Sequence, residues 1–373
     1  MNIFIAIVLF SAIILFHEFG HFIVAKANKI GVIEFSLGMG PRIISYVKTD
    51  EGKVVKFFGS SSFFEDEKFK GHTIYSWKVL PFGGSCAMLG EMEQDLEEEA
   101  AFNQKSVGAR MAVIFAGPFF NFILAFILAI FVIGLVGWDK AVVTGFSENS
   151  ALQEAGIKEG DLITSIDGEK IVVDREISFY LQFNQLEVGK PVQITYERDG
   201  KDNTVAVSPR EQVNKDGTKS VKLGFFHGQR IKDNVLTILK YSLYEVKFWI
   251  STTLKSLYML VSGRVSVKEA SGPVGIVKMV GDVVDQSAPE GLLLVVVNVL
   301  NMGILLTANL GVMNLLPIPA VDGGRLFLLV IEAIRRKPLP EKIENGINIG
   351  GFALLMLLMV LIMFNDIVKL IAK

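Results

Sequence analysis

Four long apolar runs constrain this chain more than any other feature: about Ile3–Ala25, Met111–Trp138, Leu292–Leu316 and Ile347–Ile371. Each exceeds or approaches the roughly 20 helical residues needed to cross a bilayer. A chain of 373 residues that is 51% hydrophobic, with a mean hydropathy of +0.45, is too apolar for an ordinary soluble enzyme. The expected architecture is a multi-pass α-helical membrane protein with four transmembrane helices and soluble segments between them. The first run has no Lys or Arg before it, so it reads as a retained span and not a cleaved signal peptide. A net charge of -2 argues against a nucleic-acid partner. Cys86 is the single cysteine, which excludes an internal disulfide framework and a cysteine-based metal site.

The first run is interrupted by His17-Glu18-Phe19-Gly20-His21. Ionisable groups inside a span are costly, and they mark function by default. On a helix, positions i and i+4 share a face, so His17 and His21 can grip one metal ion while Glu18 stands beside it as a base. A catalytic zinc takes three protein ligands and leaves a fourth position for water, so a third ligand is needed. His72 and His227 lie in polar surroundings outside the apolar runs and read as surface or loop residues.

Charge sets the orientation. Lys26 and Lys29 follow the first run, and Lys105 and Arg110 precede the second. Arg325, Arg335, Arg336, Lys337 and Lys342 lie between the third and fourth. The positive-inside rule makes these loops cytoplasmic, both termini external and the segment 139–291 extracytoplasmic. The third ligand then belongs near the cytoplasmic end of span three. That span ends in Asn314-Leu315-Leu316-Pro317-Ile318-Pro319-Ala320-Val321-Asp322-Gly323-Gly324, and Asp322 is the only acid between Glu290 and Glu332. Two readings stand side by side: a metal ligand on backbone broken by Pro317 and Pro319, or a solvated acid before a Gly-Gly turn.

The cluster His17–His21 and the segment Asn314…Pro317-x-Pro319-x-x-Asp322-Gly323 resemble the two signature motifs of the site-2 protease family of intramembrane zinc metalloproteases. Gly117-Pro118-Phe119-Phe120-Asn121, Pro81-Phe82-Gly83-Gly84 and Ser271-Gly272-Pro273-Val274-Gly275 are similar to motifs of its bacterial branch, of RseP and RasP type. The resemblance implies a Zn2+ site held by His17, His21 and Asp322, with Glu18 as the catalytic base. It also implies residence in the bacterial inner membrane. The implied substrates are single-span membrane proteins already trimmed outside the membrane, such as anti-sigma factors or remnant signal peptides.

Residues 139–228 read as an inserted extracytoplasmic α/β module, with β-like runs at Lys140–Thr144, Asp161–Ile166, Val192–Glu197 and Asn203–Val207. The stretch Ser150–Ile163, with its Ala-Gly-Ile-Lys-Glu-Gly-Asp turn, resembles a protease-associated PDZ domain present in one copy. Such a groove can accept an extended peptide, as a filter for substrates, or the module can be a spacer. Residues 229–291 carry aromatics at Tyr241, Tyr244, Phe248, Trp249 and Tyr258 among lysines. They read as amphipathic helices on the membrane surface or packed on the module.

Between spans one and two, residues 28–110 form a cytoplasmic or membrane-associated β region. Tyr75, Trp77 and Val79 alternate with Ile74, Ser76 and Lys78 before the Pro81–Gly84 turn. The resemblance implies a β-loop that pairs with an unwound substrate strand, which makes Tyr75, Trp77, Gly83, Gly84 and Asn314 candidate substrate contacts. For Asn314, bonding the broken backbone of span three is the alternative. The acidic stretch Glu91–Glu99 reads as a solvated cytoplasmic segment. Two other functions compete: a membrane-embedded PDZ scaffold with an inactive metal site, and a zinc transporter. The intact Glu18 counts against the first, and the absence of ligands from Phe352–Phe364 counts against the second.

Overall fold

Between Ile3 and Ala25, helix α1 (Asn2–Ala27) has only Ser11, His17, Glu18 and His21 as polar residues, so it has no broad polar face to turn to water. It stops where Lys29 takes a left-handed conformation, φ 56°, and Ile30 N–H closes back on Ala25 O at 2.9 Å. The structure, a computed structural model, describes residues 2–91, 97–213, 219–266 and 271–371. Most of the acidic stretch Glu91–Glu99 lies outside these residues. The chain forms two units, Met1–Leu128 with Trp249–Lys373, and Ala129–Phe248.

In the first unit α1 is followed by β1 (Val32–Thr49), β2 (Gly52–Phe57) and β3 (Ile74–Met88), a sheet of order β2-β1-β3. β1 and β3 both double back. Gly38 and Gly40, each at φ 87°, turn β1 midway, a conformation that costs glycine little. Val32–Leu37 is therefore flanked by Gly84–Met88 on one side and Ile74–Trp77 on the other. Ile74–Lys78 also meets Arg42–Val47, so it is central, and Gly84–Met88 is an outer edge. One sheet face carries hydroxyls in register. Ser36 and Ser85 are 2.8 Å apart, and Ser45 and Ser76 are 3.2 Å apart. On the same sheet Glu34 takes Arg42 in two bonds, at 2.7 and 3.1 Å, and Lys78 at 3.2 Å. Burial opposes the Glu34 charge, but these two cations outweigh it and hold the carboxyl below its usual range.

Helix α2 (Val107–Val136) lies so close to α1 that a Cβ on Gly20 would stand 2.5 Å from Ala116 O. Small residues are what permit such an approach between spans. Pro118 inside α2 lacks the N–H that would bond Ile114 O, which loosens the helix at the level of the crossing.

The second unit continues with β4 (Trp138–Phe146), α3 (Ala151–Glu154), β5 (Leu162–Ile166), β6 (Glu169–Lys170) and α4 (Arg175–Phe183). β7 (Val192–Arg198), β8 (Lys201–Val207), β9 (Arg210–Val213), β10 (Lys219–Lys222) and β11 (Phe225–Ile231) complete its strands. The main sheet has the order β11-β4-β5-β7-β8, with β6 on β5. Leu152, Ile163, Ile166, Ile177 and Ile194 form its core. β11 extends to Ile231, beyond the boundary at 228 expected from sequence. The unit then takes in the first half of α5 (Val235–Val261), where Tyr241 stacks on Trp138 and Phe248 meets Phe179 edge-on.

Back in the first unit come α6 (Pro273–Ser287), α7 (Leu292–Leu315), α8 (Asp322–Arg335) and α9 (Glu341–Ile371). Among the described residues, Ile3–Ala27, Val107–Val136, Leu292–Leu315 and Lys342–Lys369 are long and apolar enough to cross a membrane. α7 ends before Pro317 and Pro319, and the chain reverses into α8 within a few residues. That reversal requires the Gly-Gly pair. A Cβ on Gly323 would lie 2.2 Å from Leu316 O, and one on Gly324 2.2 Å from Ile318 O.

Candidate metal centre

α1 brings His17 and His21 onto one face, and the start of α8 brings Asp322 opposite them. His17 Nε2 is 3.1 Å from Asp322 Oδ2, His21 Nε2 is 3.5 Å from it, and the two Nε2 atoms are 3.2 Å apart. Among the described residues this is the group of three His, Cys, Asp or Glu side chains whose ligand atoms converge. Both imidazoles are buried, 8% and 9% exposed.

Hydrogen bonding fixes what the triangle can hold. His21 Nδ1 is 2.9 Å from Val113 O, and a carbonyl only accepts. Neutral His21 therefore carries its proton on Nδ1 and turns a bare lone pair on Nε2 toward Asp322. Asp322 Oδ2 is buried and makes no hydrogen bond of its own. The lone pairs of His21 Nε2 and Asp322 Oδ2 converge beside His17 Nε2, an arrangement that suits a cation. Ligands about 2.0–2.1 Å from a tetrahedral zinc stand about 3.3–3.4 Å apart, so the donor set fits that ion. The space for it depends on Gly117, where a Cβ would lie 2.3 Å from His21 Nε2 and 2.8 Å from His17 Cε1.

A second layer surrounds the histidines. The Asn121 amide is fully buried, 3.1 Å from His17 Nδ1. Thr307 Oγ1 on α7 donates to Asn121 O at 3.1 Å and lies 3.4 Å from its Oδ1. A half-turn of the amide presents Oδ1 to a protonated Nδ1 and the NH₂ group to Thr307, the arrangement a metal-bound imidazole needs. α8 is held by paired ions. Arg325 meets Glu91 at 2.5 Å, and Arg110 on α2 meets Glu332 at 2.5 Å.

Glu18 faces the sheet. A Cβ on Gly84 would lie 3.2 Å from Glu18 Cγ and 3.0 Å from Ser36 O, and the Cys86 N–H reaches the Glu18 carboxylate. The base therefore borders the outer strand Gly84–Met88. Burial pushes the Cys86 thiol up to about 12, with Glu18 and Glu91 adding to the effect, so it is inert as a nucleophile.

Of the sequence candidates, His17, Glu18, His21, Asp322 and Gly84 come together. Gly83 follows the turn of β3, beneath the Met39 side chain. Tyr75 and Trp77 sit on the central strand segment, their backbone flanked on both sides by β1, so they offer side chains and not a free strand edge. Asn314 is half-buried in the last turn of α7. His72 lies 3.7 Å from Asp50, and His227 lies 2.7 Å from Asp174. Sequence reasoning left Val113, Thr307 and Gly117 without a role. Gly117 and Asn121 share the motif Gly-Pro-x-x-Asn, which was the available signal.

Known proteins are similar over nearly the whole chain. The family model described as Peptidase family M50 matches residues 5–58 and 52–358. A Clostridium acetobutylicum protein named as a candidate zinc metalloprotease is 35% identical over 367 residues, covering 98% of this chain and 97% of that one. The regulator of sigma-W protease RasP of Bacillus subtilis is 29% identical over 447 residues, covering 98% and 97%. Among solved structures, the PDZ domain of an SdrC-like protein from Listeria innocua is 25% identical, covering 26% of this chain and 100% of that domain at a TM-score of 0.21.

Proposed function

Because the chain belongs to peptidase family M50, the site-2 proteases, we propose that it is a membrane-embedded zinc protease that cuts peptide bonds within the spans of single-span membrane proteins. The observation that carries this reading is the triangle of ligand atoms on His17, His21 and Asp322, with Glu18 beside the outer strand segment Gly84–Met88.

His17, His21 and Asp322 would hold the zinc, whose chemistry there would be to acidify a water and polarise the scissile carbonyl. Glu18 takes a proton from the attacking water and delivers it to the leaving amine. Asn121 and Val113 O fix the two imidazoles so that both Nε2 lone pairs stay aimed at the ion. A helical peptide bond is shielded by its own hydrogen bonds, so the substrate must unwind before it is cut. The outer edge of Gly84–Met88 can satisfy the freed backbone by accepting it as an added strand. Gly84 keeps that strand close to Glu18, and Gly83, Tyr75, Trp77 and Asn314 supply neighbouring surface.

The basic residues beside the spans orient the protein with the metal centre toward the cytoplasm and with both termini and the inserted module outside. The module acts as a PDZ filter for substrates trimmed by another protease. The name of the Bacillus subtilis relative makes an anti-sigma factor the first substrate class to test.

The test is cleavage of a single-span substrate in proteoliposomes by wild type and by Glu18→Gln. Cleavage by wild type alone, abolished by a zinc chelator and restored by zinc, is the expected result. Equal cleavage by both proteins sinks the reading.

A further inference from the structure

Among the described residues, α9 is the most exposed of the four long apolar helices. Yet it carries one buried acid. Asp366 is 4% exposed, within the stretch Lys342–Lys369 that is apolar enough to span. The catalytic chemistry above does not use it.

Its partners are on α6. Asp366 Oδ2 accepts the Gly272 N–H at 2.9 Å and the Gly275 N–H at 2.8 Å. These amides belong to the first turn of a helix, where no carbonyl precedes them to accept, and a carboxylate there also complements the helix dipole. Both glycines are required by the closeness of the contact. A Cβ on Gly272 would lie 2.7 Å from Ile362 Cγ2 and 2.9 Å from Asp366 Oδ2, and one on Gly275 3.1 Å from Asp366 Oδ1. Pro273 between them has no N–H to satisfy and opens the helix. The motif Ser271-Gly272-Pro273-Val274-Gly275, which the zinc site leaves unexplained, is thus a cradle for one carboxylate.

The cradle connects to both arms of the metal centre. Val280 of α6 packs with Ala6 of α1, the helix of His17 and His21, and with Met302 of α7. The other end of α9 is pressed on the loop that leads to Asp322, because a Cβ on Gly351 would stand 2.1 Å from Pro319 Cβ.

We propose that Asp366 is a positioning residue for the zinc site: by pinning α9 to α6 it holds α1 and the Pro317–Val321 loop at the spacing the three ligands need. This rests on the reading of His17, His21 and Asp322 as zinc ligands. Replacing the acid leaves two amides unsatisfied and frees one end of α9. Zinc affinity then falls by about tenfold or more, in the range seen when groups behind metal ligands are removed.

The experiment compares full-length wild type, Asp366→Leu, Asp366→Asn and the pair Gly275→Cys with Asp366→Cys. Zinc affinity is read by chelator competition, and cleavage of a single-span substrate is read in parallel. A Cβ at position 275 would lie 3.3 Å from Asp366 Cγ, within reach of a disulfide. The buried, unreactive Cys86 can stay in place. Asp366→Leu should lose zinc affinity and cleavage together, and Asp366→Asn should fall between it and wild type. The oxidised pair should recover both properties, and reduction should remove them again. Wild-type zinc affinity in Asp366→Leu, or failure of the oxidised pair to recover, overturns the proposal. If wild type itself neither holds zinc nor cleaves, the reading of the metal centre fails and this inference falls with it.

Discussion

His17 Nδ1 lies 3.1 Å from the buried amide of Asn121, which joins α1 to α2 through the ring nitrogen opposite the one that faces Asp322. The bond links two motifs that are 104 residues apart in sequence. It also gives the amide a task, because an imidazole that binds through Nε2 must place its Nδ1–H on an acceptor.

Asn121→Leu, similar in volume but unable to accept, should weaken zinc binding by about 10–100-fold. Chelator competition on the purified protein measures this directly. Unchanged affinity would show that the amide only fills space.

Gly117→Ala tests the cavity. The added methyl would stand 2.3 Å from His21 Nε2, so the imidazole or the helix must move. The expected outcome is protein that inserts in membranes but purifies with little zinc, its affinity reduced by about 100-fold or more. Elemental analysis of the purified protein is the measurement.

Gly84→Val probes the strand beside the base. Its side chain would press on Glu18 and on Ser36 O while leaving the three ligands alone. Cleavage should therefore fall by about 10²-fold, as for a displacement of about 1 Å of a catalytic group, with zinc content unchanged. Loss of zinc as well would place the damage elsewhere.

In the second unit, Asp161 takes Arg198 in two bonds at 2.7 and 2.6 Å and the Lys158 N–H at 2.7 Å. Burial opposes its charge, but Arg198 and that N–H outweigh burial and hold the carboxyl below its ordinary 3.8. A carboxyl depressed on folding stabilises fully above its unfolded value and loses that contribution as pH falls through the folded one. Asp161→Ala should cost about 2–3 kcal/mol at pH 7, read as hydrogen exchange at the β5 amides of the full-length protein. The gap between wild type and variant should shrink as the pH is lowered below 3.8.

Local patterns in the sequence exposed much of this fold and site. The apolar runs correspond to helices α1, α2, α7 and α9 because chain length and hydropathy are local properties. The spacing of His17, Glu18 and His21 sets one face of one helix, and the Gly and Asp turns mark β4, β5, β7 and β8 of the second unit. Less local features were harder to read. Tyr75 and Trp77 alternate as a strand should, but alternation says nothing of how many neighbours a strand has. The doubling back of β1 at Gly38 and Gly40 made that segment central and left Gly84–Met88 as the edge.

By itself the sequence determined a membrane-spanning chain with two imidazoles and a carboxylate on one helix, because periodicity and hydropathy act over a few turns. Only the tertiary structure decided that Asp322 closes the triangle, that Gly117 leaves room inside it, and that Asn121 and Val113 O orient its imidazoles. Those relations depend on close approach between helices far apart in the chain, where a single Cβ decides whether two backbones can meet.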